Sequence, residues 1–145
     1  MNHSVRGNID SFIVMDVMEK ARKAEENGRK IIHLEVGQPS TAIPFEALRR
    51  TSHRMERDPL GYTVALGLPE LRKKISELYG RWYNLDLDPA RVVITSGSSG
   101  AFILSFISLF DVGARVGIGT PGYPSYRQIL KSLGVFPVDI KTSFE

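Results

Sequence analysis

Short apolar runs alternate with amphipathic segments through the second half of the chain. A β-branched run at 92–95 precedes a helical pattern over 101–110, and apolar runs at 115–118 and 135–140 flank a helix ending near residue 133. A strand–helix–strand–helix–strand order favours right-handed crossovers and a parallel sheet that is covered on both faces. The pattern therefore predicts an α/β fold, with the 101–110 helix buried.

The first half is mainly helical by the same criterion. Helices are expected over 11–27 and 44–57, and a third starts at Pro69, which suits a first helical position. The third helix presents one apolar face that includes Trp82, and we expect Trp82 to lie in the core. A short strand is expected over 30–36, before the turn at Gly37-Gln-Pro39.

Composition excludes several classes of site. The 145 residues are 42% hydrophobic, carry a formal net charge of +3 and include no cysteine, which excludes disulfides, zinc–thiolate sites and cysteine nucleophiles. The segment has no signal-peptide pattern and no long apolar run, so we expect a soluble, cytoplasmic protein without membrane partners. The arginines between 49 and 57 favour a solvated helix face over a nucleic-acid surface.

The segment Thr95-Ser-Gly-Ser-Ser-Gly100 joins the predicted strand at 92–95 to the following helix. The first turn of a helix has unpaired backbone N–H groups and a positive dipole end, which together favour a bound anion such as phosphate. Gly97 allows close approach of a ligand, and Ser98 and Ser99 add hydroxyl donors. Because Ser and Gly also cap helices for structural reasons, the loop alone leaves a purely structural role open.

Four motifs follow one another in an order that resembles the N-terminal third of the class I aminotransferases, pyridoxal-phosphate enzymes of fold type I. They are Gly37-Gln-Pro39, the 61–72 segment with Tyr62, the Thr95–Gly100 loop, and Thr120-Pro-Gly-Tyr-Pro-Ser-Tyr126. The resemblance implies a three-layer αβα large domain of the pyridoxal-phosphate transferase type, truncated here. It also implies an arm and small-domain helix over 1–40 and the first part of the large domain over 41–145.

The resemblance also implies site residues. Gly97, Ser98 and Ser99 match the cradle of the cofactor phosphate, and Tyr123 matches the aromatic residue that stacks on the pyridine ring. Tyr126, three residues later, and Phe102 are instead expected in the core.

Two further positions match more distant parts of the same site. Tyr62 matches a tyrosine that reaches the cofactor phosphate of a neighbouring subunit, which implies a homodimer. Gly37 matches the segment that contacts the α-carboxylate of the substrate.

No catalytic residue is assigned to this chain. In the family, the Schiff-base lysine, the partner of the pyridinium nitrogen and the substrate-binding arginine lie beyond the matched third, and none of the lysines here matches the motif. The abrupt end after 141–145 looks like an interruption. We therefore expect the chain to be inactive by itself and unstable alone, as the N-terminal portion of an enzyme that moves an amino group between an amino acid and a 2-oxo acid.

The sequence alone leaves one alternative function open. The chain could instead be a non-catalytic module that binds a phosphate ligand or pairs with a partner chain. The histidines His3, His33 and His53 have no metal-ligand spacing, and Glu35 is assigned no role because the sequence shows no partner for its carboxylate.

Overall fold

The computed structural model describes residues 4–143, so His3 and the last two residues of the predicted interruption lie outside it. A short 3₁₀ turn spans Val5–Gly7. The longer elements are, in chain order, α1 (Ile13–Glu26), α2 (Phe45–Met55), α3 (Pro69–Tyr83), α4 (Gly97–Leu109), β1 (Arg115–Thr120), α5 (Pro124–Ser132) and β2 (Phe136–Lys141).

All five helices predicted from periodicity are present in the structure. Local backbone chemistry explains where they begin and end. Pro69 occupies the first turn of α3, and Asn84 ends that helix in the left-handed conformation at φ 51°. Gly28 follows α1 at φ 79°, a conformation that glycine adopts without strain. Helix α4 begins four residues earlier than predicted, because the Gly/Ser segment itself forms its first turn.

The strands β1 and β2 pair in parallel, in register from Arg115 opposite Phe136 to Thr120 opposite Lys141. Helix α5 forms the crossover between them, as the strand–helix–strand pattern predicts. Ile129 and Leu130 of α5 are buried together with Val135, which precedes β2. This βαβ unit confirms the α/β fold class.

Two predicted strands are wrong. Residues 30–36 and 92–95 form no strand in the described part of the chain. A strand requires a ladder of backbone partners, and residues 30–36 have none; Ile32 and Leu34 are 81% and 89% exposed. Near 92–95 the backbone bonds include one from the Ile94 amide to the Leu66 carbonyl at 3.0 Å and one from the Val92 amide to the Pro89 carbonyl at 3.1 Å, and these do not form a ladder between strands.

Several predictions of burial are also wrong. No residue of α4 is buried by the described chain, and Leu104, Ile107 and Leu109 are 57%, 59% and 69% exposed. Trp82 of α3 is 66% exposed. Phe102 and Tyr126, predicted to be core residues, are half-buried. Their sequence patterns are typical of covered surfaces, but no segment among residues 4–143 covers them fully.

The described residues divide into two compact units. One comprises residues 4–38 and 96–143 and contains the βαβ unit, and the other is Pro39–Thr95. In the second unit the Arg72 side chain on α3 donates hydrogen bonds to the carbonyls of Pro89 and Val92, and Val92 is buried. The predicted domain boundary after residue 40 stays a prediction.

Candidate functional site

The Gly/Ser loop forms the first turn of α4. Gly97 adopts φ 73°, and apart from its chain neighbours and the backbone of its own helix no described atom lies within 4 Å of where a Cβ would stand. Gly97, Ser98 and Ser99 are exposed, the first turn carries no acidic residue, and Ser96 makes no capping hydrogen bond through its side chain to the described residues. The start of α4 is therefore open to an approaching anion, with no carboxylate in that turn to compete for its donors.

Tyr123 lies on the loop between β1 and α5 and directly precedes the helix. Its ring is 53% exposed and has edge contacts with Phe12, at 6.2 Å between centroids, and with Tyr126, at 5.4 Å. Tyr126 in turn packs on Phe102 of α4 at 4.4 Å. Two ring contacts thus connect the Tyr123 loop to the helix whose first turn forms the candidate anion site.

An open cavity of about 510 Å³ lies beside Tyr123. It is lined by the end of β1, by the loop at 121–123 and by the first turns of α5. Ligands of parallel α/β sheets bind outside the carboxyl ends of the strands, and this cavity occupies that position for β1. The half-exposed Tyr123 therefore lies beside a cavity at a position typical of cofactor sites.

The other two predicted site residues lie in different units. Gly37 belongs to the unit that contains Tyr123 and is exposed, and no described atom lies within 4 Å of a Cβ added there. Tyr62 belongs to the unit Pro39–Thr95, and its side chain is fully exposed. Among the described residues, Gly37 and Tyr62 are both exposed to solvent.

The Glu35 carboxylate has a partner, contrary to the prediction from the sequence. Its carboxylate lies 2.6 Å from Nδ1 of His33, whose Nε2 lies 2.9 Å from the carboxylate of Glu25 on α1. These two acids raise the pKa of His33 to about 9, with the Glu35 hydrogen bond as the larger cause, and His33 lowers the pKa of Glu35. The spacing of two residues in an extended segment was the available signal, because it places both side chains on one face.

The arginines of α2 lie on a solvated face, as predicted. Arg49 and Arg50 both pair with Glu46, and Arg54 pairs with Asp58. These contacts neutralise part of the positive face, which does not favour binding of nucleic acid.

Residues 4–143 contain neither a metal-ligand cluster nor a membrane-spanning helix. No cluster of three or more histidine, aspartate or glutamate side chains there could hold a metal ion. No helix in this part of the chain is both long and apolar enough to cross a bilayer.

Comparison with known proteins gives consistent matches. The family model described as "Aminotransferase class I and II" matches residues 29–144. The chain is 41% identical over 137 residues to valine–pyruvate aminotransferase of Mycobacterium tuberculosis, covering 94% of this chain and 35% of that protein. It is 39% identical to (5-formylfuran-3-yl)methyl phosphate transaminase of Methanocaldococcus jannaschii, covering 90% of this chain and 35% of that protein.

Solved structures agree with the sequence matches. The crystal structure of an aminotransferase from Mycobacterium tuberculosis superposes with a TM-score of 0.93 at 39% identity, covering 99% of this chain and 37% of that one. An alanine aminotransferase from Pyrococcus furiosus superposes with a TM-score of 0.87 at 30% identity, covering 98% of this chain and 37% of that one. The chain spans about a third of the length of the curated relatives it matches.

Proposed function

The chain belongs to the aminotransferases of class I and II, and from that membership we propose that it is the N-terminal portion of a pyridoxal-phosphate aminotransferase. The whole enzyme would transfer an amino group between an amino acid and a 2-oxo acid. The 41% identity with a valine–pyruvate aminotransferase over 94% of this chain carries the proposal. The comparisons do not favour the non-catalytic binding module considered above.

The exposed first turn of α4 suits the phosphate of pyridoxal 5'-phosphate. Backbone N–H groups of the first turn and the hydroxyls of Ser98 and Ser99 would bind it, aided by the dipole of a 13-residue helix. Gly97 would let the phosphate approach the backbone closely, since the space beside it is open.

The ring of Tyr123 would orient the cofactor and exclude water from one of its faces. Contacts with Phe12 and Tyr126 restrict this ring and so reduce the entropy lost on binding a flat ligand. When bound, pyridoxal phosphate supplies an electron sink for the bond changes at the substrate's α-carbon.

The remaining assignments concern the substrate and a second subunit. The backbone at Gly37 would bind the substrate α-carboxylate. The exposed Tyr62 would reach the cofactor phosphate of a second subunit, so the proposed assembly is a homodimer. The proposed location of this homodimer is the cytoplasm. We assign no catalytic residue within residues 1–145.

The names of the matched relatives suggest where to look for the substrate. Valine with pyruvate is the first donor–acceptor pair to test, because the relative with 41% identity is named for it. The relative with 39% identity is named for a different compound, so the assay should also include a panel of amino acids and 2-oxo acids.

The test begins with the intact mass of the protein from its source cell, with peptides mapped past residue 145. The purified native-length protein, meaning the polypeptide identified by that mass, is then assayed for pyridoxal-phosphate absorbance and for amino transfer. We expect a chain near the length of the relatives that binds the cofactor and transaminates. A native product ending at residue 145 that binds no cofactor would refute the proposal.

A further inference from the structure

We propose that Asp139 is a positioning residue for Tyr123, holding the loop between β1 and α5 from both of its ends. The role rests on the proposed function, because it matters only if the Tyr123 ring contacts the cofactor. Asp139 itself lies on β2, opposite Ile118 of β1.

The first contact of Asp139 lies at the start of the loop. The hydroxyl of Thr120, the last residue of β1, donates a hydrogen bond to Oδ1 of Asp139 at 2.7 Å. The carbonyl of the same threonine accepts a hydrogen bond from the amide of Thr142 at 3.0 Å. Both the side chain and the backbone of Thr120 are thus bound to the β2 side of the sheet.

The second contact lies at the end of the loop. Nη2 of Arg127, in the second turn of α5, donates to the same Oδ1 of Asp139. The partners of this single carboxylate therefore bracket the loop that carries Tyr123, with Thr120 before it and Arg127 after it.

The loop between these contacts has little room to adjust. A Cβ added at Gly122 would stand 2.4 Å from the carbonyl oxygen of Gly119, so the backbone folds closely back on itself. A shift of Thr120 or of the first turns of α5 must therefore move the backbone of Tyr123.

Charge supports a bridging carboxylate. The hydrogen bond from Thr120 and then the Arg127 guanidinium lower the pKa of Asp139, which keeps it ionised and able to accept both bonds. The side chain of Asp139 is 52% exposed, and an exposed ion pair contributes little to global stability. Its removal should therefore loosen the loop more than it destabilises the protein.

The experiment compares variants of the native-length protein. Asp139→Ala removes the acceptor, Thr120→Val removes the hydroxyl with little change in shape, and Asp139→Asn keeps an acceptor oxygen but loses the charge. Glu77→Ala is the matched control, since it breaks another exposed carboxylate pair, with Lys74 on α3 at 2.7 Å.

Three quantities are measured for each variant. They are hydrogen exchange of the 119–126 peptide in the apoprotein, circular dichroism of the bound cofactor, and the dissociation constant of pyridoxal phosphate. We expect Asp139→Ala and Thr120→Val to exchange faster, to change the cofactor signal, and to raise the dissociation constant about three- to tenfold, the effect of one lost hydrogen bond. Asp139→Asn should lie closer to the wild type, and Glu77→Ala should match it.

The outcomes separate this proposal from the one on which it rests. If the wild type binds no pyridoxal phosphate, both proposals fail. If it binds the cofactor while Asp139→Ala keeps the wild-type exchange rate and cofactor signal, only the positioning role is refuted. A lower melting temperature of Asp139→Ala with an unchanged cofactor signal would assign Asp139 a merely structural role and would also refute it.

Discussion

Arg72 and Val92 are joined by a hydrogen bond from the guanidinium Nε to the backbone carbonyl at 2.8 Å. The same guanidinium also donates to the carbonyl of Pro89 through Nε and Nη2, so one side chain on α3 holds the backbone that leads into residues 92–95. These carbonyls have no strand ladder to satisfy them, and the planar fork of an arginine can serve both at once. The unit Pro39–Thr95 thus uses a side chain where a sheet would use backbone.

Replacing Arg72 with lysine should destabilise the protein although the charge is kept. A lysine ammonium cannot reproduce the fork, and the carbonyls lose charge-assisted hydrogen bonds worth about 1–3 kcal/mol. The check is the free energy of unfolding of the native-length protein in urea. Lys74→Arg, on the same helix, is the control, and equal stability of the two variants would contradict the role assigned to Arg72.

Gly67→Ala should be the more damaging of two glycine substitutions in this unit. Gly67 has φ 97°, and an added Cβ would stand 2.4 Å from Cγ1 of Ile94, so strain and overlap together should cost about 2–4 kcal/mol. Gly61→Ala is the matched control, because nothing described lies within 4 Å of its Cβ position. Thermal unfolding measures both, and a Gly67→Ala protein as stable as Gly61→Ala would show that Ile94 moves aside freely.

The helices and strands that local sequence signals stabilise could be predicted, whereas strands that need a distant partner strand could not. The helix starting at Pro69 carries its own start signal and apolar face, and β1 and β2 are joined by one short crossover that pairs them. Residues 92–95 have the composition of a strand, but composition cannot supply the neighbouring strand that would make them one. The partners of Asp139 and the Glu25 partner of His33 escaped prediction because these contacts depend on tertiary geometry, whereas the Glu35 partner of His33 could have been found from its spacing of two residues.

The three side chains around His33 predict a defined pH dependence of stability. The folded-state pKa of His33, about 9, lies above its ordinary value of 6.5, so the folded state binds the proton more tightly than the unfolded state. The stabilisation of the folded state by protonated His33 is complete below about pH 6.5 and is lost as the pH rises through 9.

The measurement is the melting temperature of the native-length protein and of His33→Gln between pH 6 and 10. The difference between them should be largest near pH 6 and should shrink through pH 9. His53→Gln is the control, since the nearest carboxylate of His53, on Glu56, is 3.8 Å away. A difference that stays constant with pH would show that the acids do not hold a proton on His33.

Removing both hydroxyls at the start of α4 should weaken cofactor binding through the phosphate. The double variant Ser98→Ala/Ser99→Ala removes two hydroxyl donors, and each hydrogen bond to a charged group is worth about 1.5–3 kcal/mol. It should therefore raise the dissociation constant of pyridoxal phosphate by about a hundredfold or more. Binding of pyridoxal, which lacks the phosphate, should not change. Ser105→Ala, exposed farther along the same helix, is the control, and an equal loss for pyridoxal would argue against a phosphate contact.

The polypeptide of residues 1–145, made by itself, should not fold to a stable monomer. Only Val92, Ile129, Leu130 and Val135 are buried hydrophobic residues in the described chain, whereas α4 exposes Leu104, Ile107 and Leu109. Each strand of the two-stranded sheet also has an open edge among the described residues, and open edges and apolar faces promote aggregation.

Sedimentation and near-ultraviolet circular dichroism during heating test whether this polypeptide folds alone. We expect self-association and no cooperative transition, because so small a core cannot offset the conformational entropy of the chain. A soluble monomer with a sharp two-state melt would contradict the prediction.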